Sequence, residues 1–143
     1  MDLFPALTGS KLRIRGSICP QYSVMATISG NKPMARYMSF YSKGFTLYTI
    51  TDKRTEKVED LEKNSNVFVL LGYEEGIFDK DYVEVEGEVS MVKNQEIIEK
   101  SWNDYMDDQY ASKEDPNILV LEIKPTKINV KSKKGKEVEE IIL

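Results

Sequence analysis

Lys53, Arg54 and Lys57 crowd into the short segment TDKRTEKV, and Thr49, Thr51 and Thr55 place hydroxyl donors around them. The spacing predicts a helix over Asp52 to Lys63, with Val58 and Leu61 as its apolar stripe. Cations in a first helical turn oppose a dipole that is already positive there, at a cost of about 0.3–1 kcal/mol each. Lys53 and Lys57 are also four apart and repel on one face. A helix start that carries hydroxyls and cations against its own field suits an anion, a phosphate above all. The competing reading is a solvated charged face, in which Lys53 pairs with Glu56 and Lys57 with Asp60. The residues alone leave the two readings level.

Other chemistries are excluded by composition. The chain has 143 residues, no histidine and one cysteine, Cys19. That removes His/Cys zinc centres, Ser-His-Asp triads and Cys-His dyads, and it precludes an internal disulfide, which points to a reducing cytoplasm. A net charge of −4 and a pI near 5.0 argue against a general nucleic-acid binder. No apolar run approaches the ~20 residues that span a bilayer, and no secretory signal is visible. Demanding chemistry must then come from carboxylates, lysine, tyrosine or a borrowed cofactor.

The elements that would position these residues are mostly strands. Lys11 to Ile18 alternates like an edge strand with a solvated basic face. Val24 to Ser29 is a strand ended by the hairpin signal Gly30-Asn31. Met34 to Tyr41, a turn at Lys43-Gly44, and Phe45 to Ile50 follow. Val67 to Tyr73 reads as a central buried strand, and Glu74 to Lys80 as an acidic loop. Tyr82 to Val92 alternates strictly, and Gly87 in its middle signals a bulge or a close backbone approach. Asn94 to Met106 reads as a second helix with Ile97, Ile98, Trp102 and Tyr105 on its apolar stripe. Ile118 to Ile123 is a strand stopped by Lys124-Pro125, Lys127 to Lys131 a last short one, and 132–143 a charged tail whose closing Ile-Ile-Leu docks on a neighbour. Short turns make the pairing antiparallel. The expected architecture is mainly β: a small barrel of six or seven strands with two or more covering helices, over 1–143 as a single domain, with 1–22 an atypical start.

Within this frame, Glu84, Glu86 and Glu88 form a carboxylate row better read as the solvated face of a strand than as a metal site, and no metal is expected. Tyr37 and Tyr48 are sheet-packing residues by default, and Trp102 is core by default. Arg36 lies between Met34 and Met38, and a charge in an apolar strand wants a partner. If the strands around Gly44 pair as a hairpin, Arg36, Thr49, Lys53 and Lys57 converge on one anion.

The runs MATISGNKPMARYMSFYSKGFTLYTITDKRTEKV, DYVEVEGEVSMV and EDPNILVLEIKP, in this order between Val24 and Pro125, closely resemble the bacterial general stress proteins of the pyridoxamine 5'-phosphate oxidase-like superfamily. The resemblance implies a split β-barrel that dimerises and holds FMN at the dimer interface. It places the flavin-lining strand on Arg36, Tyr37, Met38 and Ser39, the next strand's motif on Tyr48 and Thr49, the phosphate-binding cations on Lys53, Arg54 and Lys57, and a pocket-shielding tryptophan on Trp102. It further implies an FMN-dependent oxidoreductase acting on a small molecule, with a flavin carrier without turnover as the alternative; some relatives use FAD or a deazaflavin. The missing C-terminal Arg/His motif of the true oxidases argues against oxidation of pyridoxine phosphate itself.

Overall fold

In the computed structural model, residues 23–72, 82–132 and 137–143 are described, and the expectations for Lys11 to Ile18 and Glu74 to Lys80 fall outside them. Among the described residues, eight strands and three helices follow in order: β1 (Val24–Ser29), β2 (Lys32–Tyr37), β3 (Tyr41–Lys43), β4 (Thr46–Asp52), α1 (Glu56–Lys63), β5 (Asn66–Leu71), β6 (Tyr82–Val92), α2 (Gln95–Ser101), α3 (Asp104–Gln109), β7 (Ile118–Lys131) and β8 (Glu137–Ile142). All pairings are antiparallel, in the order β2-β1-β5-β6-β7-β4-β3 with β8 added beside β7. The hairpin turn at Gly30 has φ 65° and the turn at Gly44 has φ 62°, left-handed positions that only glycine takes without strain.

Strand β7 organises the sheet. Its first half pairs with β4 and its second half with β8, while β6 follows it throughout. The sequence predicted a break at Pro125, but the strand runs through. Gly87 faces Pro125 and Glu86 faces Lys127, so Thr126 is the extra residue of a bulge. A proline without an N–H is tolerated in a ladder at such a slip. Glycine is required at position 87: a Cβ on it would sit 2.8 Å from the Lys124 carbonyl oxygen. The tail also differs from expectation, since 137–142 form a paired strand. Lys127 bridges Glu140 at 2.9 Å and Ile141 packs on the core.

Alternation sorts the side chains. Met25, Val69, Val83, Val85, Leu121, Ile123 and Ile128 are fully buried in the main core. A second cluster joins Ile97, Ile98 and Met106 of the α2–α3 region to Tyr41, Tyr110, Ile118 and Val120. The opposite face of β2-β1-β5 is apolar yet open. Val24 lies between Tyr37 and Leu70, and Ala26 between Ala35 and Phe68. On this face Tyr37 is 78% exposed and Phe68 37%.

Three boundaries near the cleft described next differ from the sequence expectation. The strand expected over Met34 to Tyr41 is two strands, because the chain leaves β2 after Tyr37 and buries Phe40 before β3 begins; Arg36 therefore lies on a largely exposed edge strand rather than an apolar one. Helix α1 starts at Glu56, not at Asp52. Asp52 accepts from the Arg54 amide at 2.9 Å, and the Thr55 amide and hydroxyl donate to the Asp52 carbonyl, so 52–55 form a turn in front of the helix. The first turn of α1 is then acidic, with Glu56 and Glu59. The helix expected over Asn94 to Met106 is two helices, because the Asn103 side chain accepts from the Met106 amide and starts α3 afresh.

Candidate functional site

The β2–β3 link, the end of β4, the start of α1 and the α2–α3 region enclose a cleft of about 420 Å³. One wall is Tyr37, Met38, Ser39, Phe40 and Tyr41. The floor comes from Thr49, Ile50, Thr51 and Asp52, and the far wall from Ser101, Asn103, Tyr105, Met106, Gln109 and Tyr110. Lys57 and Asp52 are the charged residues in this lining.

Lys57 reaches in from α1. Its Nζ is 3.4 Å from the Met38 sulfur, to which it donates. A thioether is a weak acceptor and carries no compensating charge. Among the described residues no carboxylate lies within ion-pair distance of Lys57 or of Arg36. Burial, and secondarily the charge of Arg36, pull the Lys57 pKa down from 10.5 to about 8. A cation made uncomfortable in this way is stabilised by an incoming anion.

The other predicted residues distribute unevenly. Tyr37, Met38, Ser39 and Thr49 line the cleft with Lys57. The Thr49 hydroxyl donates to the Ser39 carbonyl at 2.8 Å, so its proton is committed to holding the link in place. Arg36 is half-buried on β2, and its charge is felt at Lys57 although it is not part of the wall. Tyr48 is not in the wall either; burial, followed by the nearby Glu122 carboxylate, raises its pKa. Lys53 is exposed, its backbone amide held by the Asn117 carbonyl at 2.9 Å. Arg54 is also exposed and forms a two-pronged pair with Asp52, at 2.8 Å through Nε and 2.5 Å through Nη2. The Arg54 hydrogen bond is the main reason the Asp52 carboxyl titrates at about 2. Trp102 stands outside the lining, donates from Nε1 to Asp107 at 2.6 Å, and packs against Tyr110 with centroids 6.4 Å apart. The cation cluster expected at one point is thus divided: Lys57 turns inward with Arg36 behind it, while Lys53 and Arg54 stay outside.

The α3 wall was not foreseen. Tyr105, expected on an apolar stripe, is 72% exposed at the cleft. The signal was present in Asn103-Asp104, a helix-start dipeptide in the middle of a presumed helix, which turns Tyr105 outward once it is read as a cap. The finished arrangement has one anion-seeking end at Lys57, an aromatic and neutral opposite wall, and Asp52 neutralised by Arg54. Lys57 is the group in this lining that can hold an anion.

Comparison with known proteins bears on the same region. The family model described as pyridoxamine 5'-phosphate oxidase matches residues 17–132. The chain is 41% identical to General stress protein 26 of Bacillus subtilis (strain 168) over 106 residues, which is 74% of this chain and 76% of that protein. The crystal structure of General Stress Protein 26 from Bacillus anthracis superposes with a TM-score of 0.73 at 32% identity, covering 86% of this chain and 89% of that one. An F420 reductase shares the fold, with a TM-score of 0.59 at 20% identity over 77% of this chain and 90% of that one. The antiparallel sheet with its helices is the split-barrel architecture of these relatives, and the chain belongs to the pyridoxamine 5'-phosphate oxidase family.

Proposed function

We propose that this chain is a cytoplasmic homodimer, each chain one domain, that binds FMN without a covalent bond and acts as a flavin-dependent oxidoreductase on a small molecule. The observation that carries the reading is Lys57: a half-buried ammonium in the cleft with no carboxylate partner among the described residues. Its Nζ would hold the phosphate, with Arg36 adding positive potential from behind. Thr49 would fix the Ser39 carbonyl and so the path of the Met38–Phe40 backbone along the ring. When bound, the flavin supplies the redox chemistry by accepting or giving a hydride. FAD suits the cleft less well, since beyond Lys57 the described lining offers no further cation for a second phosphate.

The dimer is supported by the apolar outer face of β2-β1-β5. Tyr37 belongs both to that face and to the cleft wall, so a second copy seated there would also close the cleft. The single cysteine agrees with a reducing compartment, and no helix among the described residues is long and apolar enough to cross a membrane. One observation favours a flavin carrier instead: apart from Lys57 and the neutralised Asp52, the described lining offers tyrosines rather than a tuned acid or base, and burial raises the pKa of Tyr110.

The test is the visible absorption spectrum of the purified protein, with chromatography of the heat-released ligand. Flavin bands with FMN on the column are expected; a colourless protein that does not take up added FMN contradicts the proposal. Bleaching of bound flavin by reduced nicotinamide cofactors separates an oxidoreductase from a carrier.

A further inference from the structure

The sulfur beside Lys57 has chemistry of its own. Met38 packs on the core with one side of its chain and faces the cleft with the other. Five other methionines are present. Met25 is fully buried and Met106 nearly so, Met91 is half-buried against the core, Met34 is 45% exposed on β2, and Met1 lies outside the described residues. Only Met38 among the described methionines has a cationic donor on its sulfur, at 3.4 Å.

We propose that Met38 is an oxidation site through which peroxide weakens anion binding in the cleft. Hydrogen peroxide transfers one oxygen atom to the thioether in a two-electron oxidation. The sulfur–oxygen bond forms as the O–O bond breaks, and the departing oxygen leaves as water. That oxygen needs a proton, and the Lys57 ammonium is placed to give it, acting as a general acid. The proton shed by the transferred oxygen returns to the amine through solvent, so thioether and peroxide become sulfoxide and water. Lys57 holds its proton less tightly than an ordinary lysine, which suits this role.

The product alters the site. The thioether accepts weakly, whereas a sulfoxide oxygen is a strong acceptor on a polar group. It captures the ammonium that otherwise faces the cleft, and it points its own negative end into the space where an anion would sit. Loss of one charge-assisted hydrogen bond corresponds to about a tenfold or larger weakening of affinity.

The second half of the proposal rests on the FMN reading, so the experiment separates the two. The full-length purified protein is treated with hydrogen peroxide and digested with trypsin, which cuts after Arg36 and places Met34 and Met38 on different peptides. Sulfoxide formation is followed by mass on each peptide in the wild type and in Lys57→Gln. FMN dissociation constants are measured before and after peroxide in the wild type and in Met38→Leu. Met38 is expected to oxidise at least as fast as the more exposed Met34, to slow several-fold in Lys57→Gln while Met34 does not, and to raise the FMN dissociation constant about tenfold, a rise absent in Met38→Leu. Oxidation of Met38 that lags Met34 and ignores Lys57→Gln overturns the assisted step, and an unchanged dissociation constant with Met38 fully oxidised overturns the regulation. Absence of FMN binding before any peroxide overturns the flavin reading instead, and the two peptide rates still decide the oxidation step.

Discussion

Replacing Lys57 by methionine should move stability and affinity in opposite directions. In the folded chain, burial and Arg36 lower the Lys57 pKa to about 8, against 10.5 for the free side chain. At about 1.4 kcal/mol per pH unit the difference corresponds to roughly 3 kcal/mol for a fully shielded group. The ammonium is partly open to solvent, and screening reduces this to about 1–2 kcal/mol. The sign follows from linkage. Between pH 8 and 10.5 the unfolded chain binds more protons than the folded one, so wild-type stability rises with pH across that window, and the full penalty is present below it. Lys57→Met keeps most of the stem, removes the charge, and should stabilise the ligand-free protein by about 1 kcal/mol at pH 7 while abolishing that rise. The same change deletes the cleft's ammonium and should weaken FMN binding by about 1.5–3 kcal/mol, roughly tenfold to a hundredfold. Urea unfolding at pH 7 and pH 10, beside fluorescence titration with FMN, measures both. A variant that is less stable than the wild type, or that binds FMN equally well, would refute the assignment of Lys57 as a strained, anion-seeking cation.

Gly87→Ala should destabilise by about 1–3 kcal/mol in urea unfolding, because its Cβ would meet the Lys124 carbonyl oxygen at 2.8 Å and Ile123 Cγ2 at 3.0 Å in the middle of the sheet. Arg54→Ala should leave the FMN dissociation constant within a few-fold of the wild type, since Arg54 is turned to Asp52 outside the cleft; a loss as large as that of Lys57→Met would contradict this placement. Phe68→Glu, which puts a charge on the open face of β2-β1-β5, should shift the protein toward monomer in sedimentation velocity and weaken FMN binding with it.

Much of the sheet was legible because its signals are local. The Gly30-Asn31 and Lys43-Gly44 turns, the alternation of β6 and the special role of Gly87 within it all follow from neighbours in the sequence. What escaped depends on partners distant in the chain. Pro125 looked like a stop because the slip that tolerates it exists only in the pairing with β6, some forty residues earlier. Strand β8 looked like a solvated tail because its charges are matched only across β7, as in Lys127–Glu140. The site was half legible for the same reason. Lys57 follows from the strand-turn-strand-helix pattern, and the Tyr37–Ser39 link from the family resemblance. Asp52, however, captured Arg54 and delayed the helix, which removed two cations from the cluster and the dipole conflict with them. The α3 wall required reading Asn103 as a cap rather than as one more helical residue.

The most direct measurement compares FMN with riboflavin, which shares the ring and ribityl chain but lacks the phosphate, in equilibrium titrations of the wild-type protein at pH 7. If Lys57 makes the cleft a phosphate-anchored flavin site, FMN binds saturably at one per chain and riboflavin binds at least about tenfold more weakly. Equal affinities for the two, or no binding of either, would contradict it.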